Sequence, residues 1–245
     1  MMMKTSILKK VPKPFFLSFI FLYFLLIINP PQEVLLSFDT ESDVGDEKAV
    51  QKIIDVLDRY NATATFFVMG TFVEQNPDLI RILYSKGHEI ACHTNTHKNL
   101  FLISEVEQEE EIRSCKESIE KLGISIEGFR APWRLLTLDS AKILKENNFL
   151  YDASLFDIQP NIFSIKEVYT STSFGIIPAD DYIQLLFLKL NKKLYFQGLK
   201  NIYDKKVSMS FHPHIIMVYE TGFEELIKYY NQKHVKFITH KKSLE

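Results

Sequence analysis

Carboxylate and imidazole side chains, which commonly bind metal ions or move protons, cluster at two places in the chain. Asp39, Glu41 and Asp43 directly follow an apolar run, and two of the seven histidines, His93 and His97, lie four residues apart. Three acids this close repel one another unless a cation or raised pKa values relieve the repulsion. If the chain turns helically at the histidines, both imidazoles face one way and can bind one ion.

Three further polar side chains follow other apolar runs. Arg130 begins the sequence RAPW, Asp152 lies in YDAS, and His212 lies in SFHPH, where Pro213 would stop a strand. An arginine is a fixed cation that can hold a carboxylate in place. Each pattern alone also fits an ordinary loop or a structural histidine. Their combination favours chemistry, because two histidines and one carboxylate form a zinc ligand set that leaves a position open for water.

Short apolar runs alternate with amphipathic segments from Glu33 onward, and this alternation predicts a parallel sheet wrapped by helices. Strands are predicted over 34–38, 62–69, 88–93, 127–130, 149–152, 207–211 and 235–238. Helices are predicted over 47–60, from Pro77 to Gly87, from a capping box at Ser104 to Gly123, over 138–147 and over 222–232. Seven or so strands favour a closed or nearly closed barrel over an open sheet. In such folds functional side chains lie at the carboxyl ends of strands, which is where the polar groups above fall.

The first 31 residues differ from the rest. Phe15–Ile28 is apolar except for Ser18, four lysines precede it, and Asn29-Pro30-Pro31 follows it. This layout predicts a secretory signal or a signal anchor rather than a buried core helix. A helix of this length spans roughly 21 Å, less than the bilayer core of about 30 Å. No small-x-small cleavage site follows, which favours an uncleaved anchor with the lysines in the cytoplasm and the rest of the chain outside.

The composition excludes several classes of protein. With 46% apolar and 24% charged residues and a net charge of −2, the chain is neither disordered, collagen-like nor a coiled coil. Part of its basic charge lies in the N-terminal head, so the rest of the chain lacks the excess of basic residues that phosphate binding needs. We therefore expect no nucleic-acid partner. Two cysteines, Cys92 and Cys115, exclude a disulfide-stapled scaffold. We expect both to be free thiols, although an exported domain could pair them. The acidic run 105–111 is expected to be a solvated helix face.

The five motifs in this order resemble those of polysaccharide deacetylases of the NodB-homology type, carbohydrate esterase family 4. They read SFDTE, HTNTH, RAPW, YDAS and SFHPH, the resemblance covers about 33–240, and GIIPADDY resembles the family's region before the last motif. The resemblance implies a distorted (β/α)7-type barrel, preceded here by the N-terminal hydrophobic helix. The domains would be the head and anchor over 1–31 and the catalytic domain over 32–245.

The implied activity is metal-dependent removal of acetyl groups from N-acetylated, or O-acetylated, sugars of a polysaccharide or oligosaccharide. A metal-free cyclic-amide hydrolase of the same fold and a degenerate glycan-binding member are the alternatives. The implied location is membrane-anchored through residues 15–28 with the catalytic domain outside the cytoplasm, or secreted if the segment is cleaved.

The resemblance also implies a role for each matching residue. The catalytic residues would be the general base Asp39, Arg130 that positions it, the general acid His212, and Asp152 that tunes or holds that site. The ligands of a divalent metal, for which Zn²⁺ is expected, would be Glu41, His93 and His97. The substrate would meet Trp133, Pro132 and Thr94. The chain departs from the common first motif because Thr40 stands where a second acid is usual, so Glu41 takes the ligand role, with Asp43 in reserve.

Overall fold

The computed structural model describes residues 30–41, 46–173, 176–187, 189–202 and 204–245. The strands in this part are β1 (Glu33–Thr40), β2 (Thr65–Val68), β3 (Glu89–Cys92), β4 (Gly128–Phe129), β5 (Tyr151–Asp152), β6 (Lys166–Glu167), β7 (Thr172–Ser173), β8 (Ile177–Pro178), β9 (Lys206–Phe211) and β10 (Lys236–Phe237). The helices are α1 (Asp46–Arg59), α2 (Gly70–Gln75), α3 (Pro77–Ser85), α4 (Glu105–Glu120), α5 (Leu138–Glu146), α6 (Lys192–Lys200), α7 (Pro213–Val218) and α8 (Glu220–Gln232). A π-helix at Tyr182–Phe187 and 3₁₀ turns at Leu100–Leu102, Pro132–Arg134 and Lys241–Leu244 complete the described elements.

Strand β1 is the centre of a curved parallel sheet. It pairs along one side with β9, and along the other with β10 at its start and with β2 at its end. From β2 the sheet continues through β3, β4 and β5 to β6, and each pairing is parallel. Near the open edge, the amide of Ser171 donates to the carbonyl of Ser208 at 2.9 Å, and Ser210 donates to Ala179 at 2.9 Å. The predicted parallel sheet wrapped by helices is therefore confirmed, as a half-barrel.

Alternation along β1 separates two environments. Successive side chains of a strand point to opposite faces, and Phe38 faces the helix layer, with its ring 4.9 Å from that of Phe66 and 5.8 Å from that of Phe223 in α8. The odd-numbered residues Leu35, Ser37 and Asp39 face the concave interior, where Leu35 packs near Phe67. One strand thus supplies both the core and a polar interior.

Most elements form where the sequence pattern predicts them. Helix α4 begins at the predicted capping box, in which Ser104 accepts from the Glu107 amide and the Glu107 carboxylate accepts from the Ser104 amide. The short helix α2, the π-helix, α6 and the hairpin β7–β8 were not predicted. These lie mostly within 153–206, where the apolar pattern has no clear period. Phe15–Ile28 and Asp43 lie outside the described residues.

The expectation of two free thiols was wrong. Cys92 ends β3, Cys115 lies in α4, and the two side chains form a disulfide. Both cysteines are completely buried. Their separation of 23 residues gave no sign of this contact, because it depends on α4 packing across the carboxyl end of β3. In the part of the chain that the structure describes, every helix is too short or too polar to cross a bilayer.

Candidate active site and metal centre

The carboxyl end of β1 presents two acids to the same side of the sheet. Asp39 and Glu41 are two residues apart, so the alternation of an extended chain directs both towards the concave face. Thr40 between them is completely buried, and its hydroxyl is 3.5 Å from the Phe38 carbonyl. Thr40, in the second place of the motif, is therefore aimed away from the site, and Glu41 is the next residue on the concave side.

Glu41 meets both histidines of the HTNTH motif. Its Oε1 lies 2.9 Å from Nε2 of His97 and 3.9 Å from Nε2 of His93. One donor atom from each of these residues falls within 4.8 Å of the others. Two imidazole nitrogens and a carboxylate oxygen at this spacing form a donor set that zinc and similar transition metals prefer. The three residues therefore fit a divalent metal ion.

His93 is held in the state that a metal ligand requires. Its Nδ1 lies 2.7 Å from the carbonyl oxygen of Arg130, which can only accept, so the proton sits on Nδ1 and the Nε2 lone pair faces Glu41. Burial lowers the pKa of His93 to about 4, although the charge of Asp39 opposes this shift. Burial alone would raise the pKa of Glu41, but the hydrogen bond with His97 and the charge of His93 lower it. At neutral pH the pair is a neutral imidazole and an ionised carboxylate.

The segment that joins the two histidines is not a helical turn, which was the condition under which their spacing would direct both imidazoles to one ion. Thr94 and His97 both have φ of 62°, in the left-handed region. The Thr94 hydroxyl donates to the His93 carbonyl at 2.6 Å and accepts from the His97 amide at 3.2 Å. Thr94 is completely buried, so its hydroxyl shapes this turn and offers no exposed surface to a substrate.

Arg130 and Asp39 form a buried ion pair inside the half-barrel. Nη1 of Arg130 donates to Oδ1 of Asp39 at 2.5 Å and is 3.0 Å from the Ser37 hydroxyl, while Nε donates to the Ala153 carbonyl at 2.9 Å. The guanidinium carbon stacks 4.0 Å from the ring centroid of Phe67. Burial would raise the pKa of Asp39, but the charge of Arg130, together with smaller contributions from other nearby groups, outweighs burial and holds that pKa far below its usual range. Asp39 is therefore an ionised carboxylate facing the site.

His212 is held by a carboxylate, that of Asp181, which was not among the predicted site residues. Its backbone amide donates to Oδ2 of Asp181 at 2.8 Å, and its Nδ1 lies 2.7 Å from Oδ1 of the same carboxylate. Its Nε2 then points towards the metal site, 3.9 Å from Oε1 of Glu41. Burial opposes protonation of His212, but the charge and hydrogen bond of Asp181, together with the charges of Asp39 and Asp180, outweigh burial and raise the pKa of the imidazole. In the sequence, Asp181 belongs to the run GIIPADDY, which resembles the family's region before the last motif, and this resemblance is the signal that could have identified it.

Asp152 was expected to tune or hold the site of His212, but the carboxylate that contacts His212 is that of Asp181. Asp152 is completely buried below the site, and its carboxylate accepts from the amide and the hydroxyl of Ser154 at 3.0 and 2.7 Å. It also interacts with the carboxyl of Glu167 on the neighbouring strand β6. Burial and the charge of Asp152 raise the pKa of Glu167 to about 10. These two carboxyls therefore share a proton inside the fold.

We expect Glu167→Gln to stabilise the protein at alkaline pH. Between the ordinary pKa of a glutamate and about 10, the folded protein keeps a proton on Glu167 that the unfolded chain releases. Stability from this group is therefore complete at low pH and falls as the pH rises through that range. The glutamine can donate to Asp152 without titrating. Thermal melts at pH 8 should show Tm raised by roughly 2–4 °C and a smaller decline with pH.

The control for this change is Glu146→Gln, at an exposed position of α5. It should leave both Tm and its pH dependence unaltered. A Glu167→Gln protein that loses stability with rising pH as steeply as the wild type would contradict the shared proton.

Trp133 lies at the rim of the site. Its ring centroid is 4.4 Å from that of His97, and 57% of the residue is exposed. The preceding Pro132 is buried. The next residue, Arg134, also missed by sequence reasoning, contacts Oδ2 of Asp180 at 3.2 Å and the Ala153 carbonyl at 3.1 Å. Among the predicted substrate residues, Trp133 is therefore the one whose ring is exposed to solvent. Its turn is connected to the rest of the site by the contacts of Arg134.

Comparison with known proteins identifies the family. A sequence model of the polysaccharide deacetylase family matches residues 28–151, half of the chain. The chain belongs to the polysaccharide deacetylase family. The matched segment contains Asp39, Glu41, His93, His97 and Arg130, whereas Asp181 and His212 come from the part that follows it.

Two relatives in this family are named for their substrates. The chain is 33% identical over 119 residues to a peptidoglycan-N-acetylglucosamine deacetylase of Bacillus cereus, covering 48% of this chain and 42% of the relative. It is 32% identical over 114 residues to a chitooligosaccharide deacetylase of Bradyrhizobium, covering 46% of this chain and 51% of the relative. The chain thus matches only about half of the length of each of these two relatives.

Solved structures share the fold over most of the chain. The peptidoglycan deacetylase PdaC of Bacillus subtilis superposes with a TM-score of 0.64 at 18% identity, covering 87% of this chain and 93% of that one. A CE4 family pseudoenzyme of Bacillus anthracis gives 0.63 at 16% identity, covering 88% and 66%. Since active and inactive proteins share this architecture, the side chains at the site must carry the argument for activity.

Proposed function

We propose that this protein is a metal-dependent hydrolase that removes acetyl groups from N-acetylated sugars of a polysaccharide. The observation that carries the proposal is the convergence of Glu41, His93 and His97 with the carboxylate of Asp39 and the imidazole of His212 at one end of the sheet. The family relatives that act on peptidoglycan and chitooligosaccharides support the same substrate class. O-acetylated sugars are a second substrate that the same site would accept.

Hydrolysis of an acetamide needs a strong nucleophile and a protonated leaving amine. A divalent cation such as Zn²⁺, when bound, lowers the pKa of a water towards ~7 and polarises the acetyl carbonyl. Glu41, His93 and His97 would hold this ion. The Asp39 carboxylate takes the proton of the attacking water, and Arg130 keeps it ionised and in one orientation.

His212 supplies the proton for the departing sugar amine. Asp181 engages its Nδ1, so the proton that is transferred sits on Nε2, the nitrogen that faces Glu41. A base and an acid that act in turn on the two sides of the scissile bond are the arrangement that general acid–base catalysis requires. Trp133 would cover one face of the sugar ring, since its exposed surface lies against His97.

We propose a membrane-anchored location with the site outside the cytoplasm, and the direction of β1 supports it. Pro30 and Glu33 lie at the amino end of this strand and Asp39 near its carboxyl end, and eight residues of strand span about 26 Å. If residues 15–28 anchor the chain in a membrane, the tether joins the enzyme at the pole opposite the active site. The site would then face away from the bilayer, towards a glycan outside the cytoplasm.

We expect the purified protein to bind about one divalent metal ion and to release acetate from acetylated glycans. Removal of the ion by a chelator should abolish release, and zinc should restore it. His93→Gln should weaken metal binding and lower acetate release by at least about 100-fold, because a ligand is lost. Metal content is measured by elemental analysis, and acetate is quantified over a panel of N- and O-acetylated oligosaccharides and peptidoglycan fragments.

The matched control is His234→Gln, which changes an exposed histidine in the turn that follows α8. It should behave like the wild type. Glycan binding with metal bound but no acetate release would favour a degenerate member. Hydrolysis of small cyclic amides without metal would favour the metal-free alternative, and either result would reject the proposal.

A further inference from the structure

Helix α4 contacts the turn between the two histidines with a residue that was expected to face solvent. The acidic run 105–111 was expected to be a solvated face, and this is wrong for Gln108 and Glu111, which are 3% and 4% exposed. Glu111 and Cys115 are four residues apart and share one face of the helix. That face packs on the end of β3, where Cys115 is joined to Cys92.

The carboxylate of Glu111 binds the chain between the two histidines of the HTNTH motif. Its Oε2 accepts from the backbone amides of Asn95 at 3.1 Å and Thr96 at 2.8 Å. Its Oε1 accepts from the Thr96 hydroxyl at 2.5 Å and lies 3.5 Å from Nζ of Lys98. Four donor groups from three residues, Asn95, Thr96 and Lys98, therefore converge on one buried carboxylate.

This turn needs such support. Thr94 and His97 adopt left-handed backbone conformations, which are unfavourable for residues other than glycine. Because the turn is neither helix nor strand, the amides of Asn95 and Thr96 have no regular backbone acceptor within it. Glu111 supplies the acceptor from outside the turn, on a helix that the Cys92–Cys115 disulfide joins to β3.

We propose that Glu111 is a positioning residue that holds His93 and His97 in their ligating arrangement before a metal ion arrives. The inference rests on the proposed function, in which these two histidines are metal ligands. Glu111 touches neither the substrate nor the reacting atoms, and it acts through the backbone of Asn95 and Thr96. Its role is to reduce the ordering that the turn must undergo when the ion binds.

The test compares Glu111→Ala, Glu111→Gln and the control Glu110→Ala, an exposed neighbour on the same helix. Zinc affinity is measured by competition with a chromophoric chelator, and amide exchange of Asn95 and Thr96 is followed in the metal-free protein. Glu111→Ala should weaken zinc binding about 10–100-fold and expose both amides to exchange. Glutamine should restore most of the affinity, since its oxygen can accept from both amides and its nitrogen can donate to the Thr96 hydroxyl.

Several results would overturn the inference. Zinc affinity of Glu111→Ala within threefold of the Glu110→Ala control is one, and unchanged protection of the two amides is another. If the wild type takes up no zinc, the proposed metal chemistry fails, and the exchange of the amides still decides the role of Glu111. If the alanine variant does not fold, Glu111→Asp takes its place, because its carboxylate stays charged but is one methylene too short for both amides.

Discussion

Replacement of Asp39 by asparagine is expected to lower kcat by about 10²–10⁴-fold while metal binding is retained. Asparagine keeps an oxygen for Nη1 of Arg130, so the side chain stays in place. It cannot take a proton from water, and the catalytic base is lost. Acetate release from an N-acetylated oligosaccharide gives kcat, and the zinc content of the same preparation shows whether the metal site is intact.

The control is Asp139→Asn, which changes an exposed aspartate in the first turn of α5. It should keep wild-type kcat. A fully active Asp39→Asn enzyme would show that another group removes the proton, and loss of zinc together with activity would move Asp39 from base to ligand.

Replacement of Arg130 by methionine is expected to destabilise the fold by about 3–5 kcal/mol, because it leaves a buried carboxylate without its counter-ion. Arg130 is completely buried and Asp39 is 4% exposed, so water cannot replace the lost charge. The change also removes the donors to Ser37 and to the Ala153 carbonyl. Urea unfolding at neutral pH measures the free energy of unfolding, and kcat should fall as well, because the pKa of Asp39 is no longer held down.

The double variant Asp39→Asn/Arg130→Met separates charge from packing. Its free energy of unfolding should exceed that of Arg130→Met, because the uncompensated charge is gone, and the coupling between the two sites should reach about 1–3 kcal/mol. Strict additivity of the two single changes would contradict a direct ion pair. The exposed pair Lys142 and Glu105 serves as a comparison, and its coupling should be much weaker because solvent screens it.

Much of the site could be predicted from local patterns. Apolar runs of β-branched and aromatic residues identify the strands. Because parallel strands carry their functional residues at one end, the sequence also predicts that Asp39, His93, Arg130 and His212 lie together. The period of a strand also explains why Glu41 reaches the same face as Asp39. These inferences hold because they depend on spacing along a single strand and on one general property of the fold.

Only the tertiary structure determines the contacts between residues that are far apart in the chain. Asp181, rather than Asp152, holds His212 because the segment before β9 folds back along the open edge of the half-barrel. Cys92 meets Cys115, and Glu111 meets Asn95 and Thr96, because α4 packs across the end of β3. Local sequence determines which residues end a strand or face a core, whereas partners that lie 15 to 31 residues away are chosen by how helices pack on the sheet.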